Sequence, residues 1–311
     1  MENLVLSGGG INGLIHLGVL KLLDEYNLID NIKNYYGSSI GALIAFHLAL
    51  GYNYNDVMYL FLKINSDKLI DENVFTFFTD YGLCNLSKIK IYLESIVEIK
   101  FKKKSISFLE LYELTKKTIH ITSININLNQ EEIFNYINTP DVNIVDAVVA
   151  SSSIPIAFTP KKINNSYYID SFYINNYPIN LCNDYKKTIG IELNNVEYKT
   201  IENIDNIYEY LSCIFISTNK IIKKNKKINK PKLEIIIKCK NPLNFFIDPE
   251  EKIDLYNYGY KESKKIVDYY IKQNIFKIIR KYCIKQKKKN KYIYIYHLKI
   301  WYRFYLKLLV I

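Results

Sequence analysis

Two kinds of apolar run alternate along the first fifty residues. Asn3–Ser7 is a short apolar stretch that enters Gly8-Gly9-Gly10. From Gly13 the positions Leu14, Leu17, Leu20, Leu22 and Leu23 recur with helical spacing as far as Tyr26. Ile32–Tyr36 then repeats the strand, Gly37–Gly41 the turn and Ala42–Leu50 the apolar helix. A strand, a tight glycine turn and a buried helix, twice in succession, predict an α/β fold with a largely parallel sheet. Farther on, Leu86–Val97, Phe108–Thr115 and Ile144–Ser151 read as helices, and His120–Ile126 alternates as a strand. Pro155 and Pro160 stop helical continuation, and Ser166–Asp170 reads as a strand that ends on a carboxylate. Lys223–Lys232 is a basic, Asn-rich loop, Leu233–Ile237 a buried strand and Glu262–Ile271 a closing helix. No internal repeat interrupts this order.

Composition sharpens the picture at two places. Of eleven glycines in 311 residues, seven fall within the first 41, which marks that region as the one needing unusual backbone geometry. The formal net charge of +11 belongs to the C-terminal end. Residues 271–311 hold 12 of the 42 Lys and Arg and no Asp or Glu, so 30 basic residues face 31 acidic ones over 1–270. That balance excludes a uniformly basic nucleic-acid-binding domain. Five widely spaced cysteines (Cys84, Cys182, Cys213, Cys239 and Cys283) form no metal-ligand pattern and read as free thiols in a reducing compartment. The start Met1-Glu2-Asn3 has neither a basic leader nor a long apolar core, which predicts no secretory signal, and no uncharged run reaches the ~20 residues of a spanning helix. The expectation is a cytoplasmic protein, soluble or peripheral to a membrane.

The turn Gly37-Ser38-Ser39-Ile40-Gly41 is G-x-S-x-G between a predicted strand and a predicted helix. Ser39 alone has glycine two residues away on both sides. A nucleophile on so sharp a turn has strained backbone, and bulkier neighbours would clash. Gly8-Gly9-Gly10-Ile11-Asn12-Gly13 supplies successive backbone N–H groups at a helix start, able to converge on a developing anion. The same residues satisfy G-x-G-x-x-G, the dinucleotide fingerprint, with Asp30 near the place of a ribose ligand. That alternative accounts for the first turn and leaves the second unexplained.

Taken together, these pieces resemble the patatin-like phospholipases, which pair a glycine-rich loop (G-G-G-x-[RK]-G) with a G-x-S-x-G turn and a later Asp-Gly-[Gly/Ala]. Ser7–Gly18 and Tyr36–Gly41 match the first two. Further matches follow in order: Tyr81-Gly82-Leu83, Leu111–Thr115, Thr139–Asp141 through Val145–Ala147, Ala150-Ser151, Ser153–Pro155, Phe158–Pro160, Tyr168–Asp170 and Asn175–Ile179. The similarity spans residues 3–190 and continues more weakly to 270, through Gly259-Tyr260. It implies a three-layer α/β/α domain over 1–270 with a mostly parallel sheet. It also implies Ser39 as nucleophile, Asp170 as its base, and the amides of Gly8, Gly9 and Gly10 as an oxyanion hole. The implied activity is hydrolysis of lipid esters, of phospholipase A type, with no metal, no calcium and no organic cofactor. His16 and His47 read as structural, and a triad would have to recruit His297 from the tail, so a Ser-Asp dyad is expected.

Two departures stand out. Asn12 occupies the place of Arg or Lys, and Ser171-Phe172 follows Asp170 where glycine is usual. They motivate a rival reading, a weakened or inactive binding protein on the same fold. The tail, 271–311, carries the basic run Lys285–Lys291 and then Lys299, Arg303 and Lys307 on one helical face among aromatics such as Trp301 and Phe304. Such a helix suits adsorption to anionic lipid. A solvated or packed tail, or one that stacks on nucleic acid, stays open at this point; the expected partners are a lipid ester and a membrane surface, with no nucleic acid.

Overall fold

A computed structural model describes residues 1–63, 71–72, 74–194, 204, 210, 213–214, 217, 230–239 and 247–287. The expected loop Lys223–Lys232 falls mostly outside the described residues, as does the tail beyond residue 287. In chain order the elements are β1 (Asn3–Leu6), α1 (Gly13–Glu25), β2 (Asn34–Gly37), α2 (Ile40–Ala49) and α3 (Tyr54–Lys63). Next come β3 (Asp71–Glu72), α4 (Val74–Asp80), β4 (Gly82–Asn85), α5 (Ser87–Phe101), α6 (Phe108–Thr115), β5 (Thr118–Asn125) and β6 (Gln130–Phe134). The last are α7 (Ile144–Ser151), β7 (Ile156–Phe158), β8 (Lys161–Ile163), β9 (Ser166–Asp170), α8 (Phe172–Asn175), β10 (Thr188–Asn194), β11 (Leu233–Lys238) and α9 (Pro249–Lys287). The chain divides into two units, Met1–Ser263 and Lys264–Ile311; the first holds the sheets and the site.

The main sheet runs β11-β10-β1-β2-β5-β9-β8, with β6 on the other edge of β5. From β11 to β5 every pairing is parallel; β5–β9, β8–β9 and β5–β6 are antiparallel. The architecture is the expected three-layer α/β/α with a mostly parallel sheet. β1 lies in the interior of the sheet, between β10 and β2, with all four residues buried, so it reads as continuous apolar sequence rather than as an alternation. α2 is apolar around nearly its whole circumference and is buried accordingly. α6 starts where its capping box dictates. Ser107 accepts the Glu110 N–H, and the Glu110 carboxylate accepts the Ser107 N–H, which satisfies two otherwise orphaned donors.

The sequence reading differs from the structure at several elements. Thr188–Asn194 was not expected as a strand, yet β10 is the partner of β1; Gly190 and Glu192 hide its apolar character, and Gly190 leaves room for the Tyr177 ring. β11 was expected to be buried, but as an edge strand it alternates, with Ile236 43% exposed. The closing helix is far longer than Glu262–Ile271. α3, β6 and the small sheet β3-β4-β7 were not read at all.

One topological detail places the site. Ile121 pairs with Gly37 of β2 and also with Phe134 of β6, so β2 and β6 flank β5 on opposite edges. Ser123 pairs with Glu132 of β6 and with Asp170 of β9, so β9 also lies opposite β6. β2 and β9 therefore share one edge of β5 and meet end to end, with only Thr122 between their last registers. The residues that leave these two strand ends are Ser38-Ser39 and Ser171-Phe172.

Candidate active site

The backbone of Ser39 has φ 53° and ψ −125°, a conformation that L-residues rarely adopt. The surrounding packing holds it there. A methyl group on Gly41 would sit 2.3 Å from the Leu6 carbonyl oxygen, and one on Gly37 would sit 2.5 Å from the Ala42 nitrogen. Both contacts are with backbone, which cannot yield cheaply, so the crowding expected of G-x-S-x-G is present. The Ser39 N–H donates to Ser151 Oγ at 2.9 Å, and its carbonyl accepts the Leu43 N–H at 3.0 Å. Ser39 thus heads α2, whose N-terminal end favours negative charge. Ser39 is 6% exposed.

Across from it, Asp170 ends β9 and is 0% exposed. Its N–H donates to the Ser153 carbonyl at 2.9 Å, and its Oδ1 accepts the Phe172 N–H at 2.9 Å. Oδ2 is buried and has no fully formed hydrogen bond. The Ser39 hydroxyl nevertheless lies close enough to act on the carboxyl. Burial pushes the Asp170 pKa up from 3.8 to about 7, and the Ser39 hydroxyl, then the Phe172 N–H, oppose that rise. The carboxyl thus feels the Ser39 hydroxyl without a complete hydrogen bond to it, as is common before substrate binds. Burial, and after it the charge of Asp170, pushes the Tyr173 phenol up to about 12.

The glycine loop is held from below. Ser7 Oγ accepts the Leu193 N–H at 2.8 Å and donates to the Gly8 carbonyl at 3.0 Å. His16 Nε2–H donates to the Ser7 carbonyl at 2.8 Å. The Gly8 N–H donates to the Asn176 carbonyl at 2.9 Å, while Asn176 Nδ2 donates back to the Gly8 carbonyl at 3.3 Å. An amide has one proton to give, so the donor role expected for Gly8 is corrected: its proton is already committed to Asn176. Gly9 and Gly10 show no such partner among the described residues. Gly10 has φ 54°, the left-handed region where glycine is unstrained. A methyl group on Gly8 would lie 3.2 Å from Ser39 Cβ, so loop and nucleophile turn are neighbours.

None of the three described histidines is hydrogen-bonded to Ser39 or Asp170. His47 gives Nδ1–H to the Leu43 carbonyl at 2.8 Å and accepts the Tyr92 hydroxyl on Nε2 at 3.0 Å. His120 stacks on Tyr36 with ring centroids 4.5 Å apart. Burial lowers all three, His16, His47 and His120, to about 4, which keeps them neutral. His297 lies outside the described residues. Asn12 is buried at the end of the short turn Gly10–Asn12, and Asp30 is exposed in the turn ahead of β2. The sequence reading missed Ser151, Asn176 and Tyr173. Ser151 and Asn176 sit in matched segments, but nothing in their pattern says that one would accept the nucleophile's N–H and the other would grip Gly8.

The fold and this strand-to-helix turn place the chain among the α/β/α proteins that present a serine on a strained elbow. The comparisons then narrow the class. The patatin-like phospholipase model matches residues 4–182, and the chain belongs to that family. It is 31% identical over 295 residues to the uncharacterized protein R571 of Acanthamoeba polyphaga mimivirus, covering 90% of this chain and 95% of that protein. It is 36% identical over 190 residues to the "Probable lipid hydrolase 463L" of Invertebrate iridescent virus 6, covering 59% of this chain and 64% of that one. The crystal structure of VipD from Legionella pneumophila superposes with a TM-score of 0.60 at 16% identity, covering 86% of this chain and 67% of VipD. That likeness is one of fold. The chain thus spans nearly all of R571 and just under two thirds of 463L.

Proposed function

We propose that the protein is a lipid acyl hydrolase of phospholipase A type that cleaves carboxylic esters through an acyl-Ser39 intermediate, with Asp170 as the base. Asp170 takes the Ser39 proton as Oγ attacks the ester carbonyl carbon. The tetrahedral oxyanion develops against the Gly9 and Gly10 amides, where each donor is worth roughly 3 kcal/mol of transition-state stabilisation. Collapse breaks the bond to the alcohol oxygen, which leaves with the proton held by Asp170. Water then attacks the acyl-serine and gives a proton to Asp170. That proton returns to Ser39 as the carboxylic acid departs.

The observation that carries this reading is the buried Asp170 carboxyl beside the Ser39 hydroxyl, with one oxygen free of hydrogen bonds. An aspartate in water is a feeble base; one held up at about 7 is matched to proton transfer near neutral pH. Family membership and the similarity to the probable lipid hydrolase 463L support lipid esters as the substrate class. No described helix is long and apolar enough to cross a membrane. The basic, aromatic composition of 271–311 suits adsorption to an anionic lipid surface.

The test compares wild type with Ser39→Ala on a short-chain ester and on labelled phospholipid. Wild type hydrolyses both, the variant neither, and a fluorophosphonate probe labels only wild type. Equal hydrolysis by the two proteins rejects Ser39. Absence of labelling and turnover in wild type favours a binding protein on the same fold.

A further inference from the structure

We infer that Ser171 is a positioning residue, whose hydroxyl fastens the strand end carrying Asp170 to the turn carrying Ser39. The inference rests on the dyad proposed above and assigns a role to a residue outside it. β2 and β9 lie end to end on β5, so no ladder of backbone hydrogen bonds joins one to the other. The distance between their ends has to be held by something else.

Three buried hydroxyls fill the gap. Ser171 Oγ lies 3.0 Å from Ser38 Oγ and 2.6 Å from Thr122 Oγ1, and it donates to the Thr122 carbonyl at 3.2 Å. All three residues are 0% exposed. A serine hydroxyl has one proton and two lone pairs. The carbonyl can only accept, so the Ser171 proton goes to it, and the Ser38 and Thr122 hydroxyls both donate to Ser171. Its hydrogen-bonding capacity is then filled, and from the end of β9 it reaches two other segments: the nucleophile turn through Ser38 and the middle of β5 through Thr122.

Ser38 immediately precedes Ser39, and Ser171 immediately follows Asp170. The 3.0 Å link is therefore one residue from each reacting group at both ends. Glycine, the usual residue after the aspartate in the pattern this chain resembles, has no hydroxyl to offer and would leave two buried donors without their acceptor. Here the serine does by hydrogen bonding what the backbone ladder does elsewhere in the sheet. It acts on the relative placement of Ser39 and Asp170 and touches neither substrate nor the transferred proton.

The experiment measures Ser171→Ala, Ser38→Ala and the double variant beside wild type and Ser39→Ala, with a soluble short-chain ester across pH and with thermal melts. Each single variant should lose about 10- to 100-fold in kcat with KM nearly unchanged, the scale of a small misplacement of reacting groups. The acid limb of kcat/KM should move to higher pH, because a displaced Ser39 hydroxyl no longer opposes the rise in the Asp170 pKa. The double variant should be no slower than the slower single, since both cut the same link. If Ser171→Ala does not fold, Ser38→Ala severs the link from the other side and reads the same limb and kcat. Loss of activity in Ser39→Ala, with kcat and the acid limb unchanged in the Ser171 and Ser38 variants, overturns this inference and leaves the dyad standing. Additive losses also overturn it. Full activity in Ser39→Ala overturns the dyad and this inference together.

Discussion

Replacing Asp170 with Asn removes a titrating group from the interior while keeping its size and its acceptor for the Phe172 N–H. In the folded chain, burial holds this carboxyl at about 7, against 3.8 for an ordinary aspartate. Between those two values the folded state binds the proton more tightly than the unfolded state does. The stability contributed by the group is therefore complete below about pH 4 and is lost as pH rises through about 7. At ~1.4 kcal/mol per unit the whole loss is about 4 kcal/mol, of which roughly 3 kcal/mol falls between about pH 5 and about pH 8.5. Asn does not titrate, and the remaining groups are common to both proteins. The unfolding free energy of Asp170→Asn minus that of wild type should thus climb by roughly 3 kcal/mol over that interval. Urea unfolding at the two pH values measures it. A difference that stays constant, or shrinks as pH rises, refutes the claim that Asp170 is strained by burial. The same variant should lose ester hydrolysis, in which case the proposed base is also a residue that weakens the fold at alkaline pH.

Two further outcomes follow from the same geometry. As a base Asp170 works only when ionised, so kcat/KM for a soluble ester should fall as pH drops below about 7; an acid limb near 4 would contradict its burial. Gly41→Ala puts a methyl group 2.3 Å from the Leu6 carbonyl oxygen and 2.6 Å from that of Ser7, both backbone. It should destabilise the chain by about 1–3 kcal/mol and lower kcat as the elbow shifts, and an unchanged urea midpoint would show that the turn has slack.

Much of the site was legible before the fold was known. Gly37 and Gly41 mark a crowded turn because only glycine tolerates backbone at that distance, and crowding leaves a compositional trace. The apolar runs of β1 and α2 leave one too, since elements buried on all sides lose their alternation. Phe108–Thr115 was legible because its capping box is local, written within four residues. β10 was not. Its burial comes from β1 and β11, both remote in sequence, and from the Tyr177 ring, and a strand that accommodates a glycine and a glutamate does not look apolar. Gly8 shows the same limit at the scale of one atom: the glycine triplet predicts a loop of exposed amides, but the Gly8 amide is taken by Asn176, far along the chain.

By itself, then, the sequence determined the residue types at each turn, the order of strands and helices in the N-terminal part, and the family to which the chain belongs, because these rest on local sterics and on ordered motifs. What only the tertiary structure decided is how β2 and β9 come to share one edge of β5, and with it the burial of Asp170, the choice of Gly9 and Gly10 over Gly8 as free donors, and the Ser38–Ser171–Thr122 contact. Hydrogen-bond partners and desolvation are properties of a place in space. They appear only when segments distant in the chain have met.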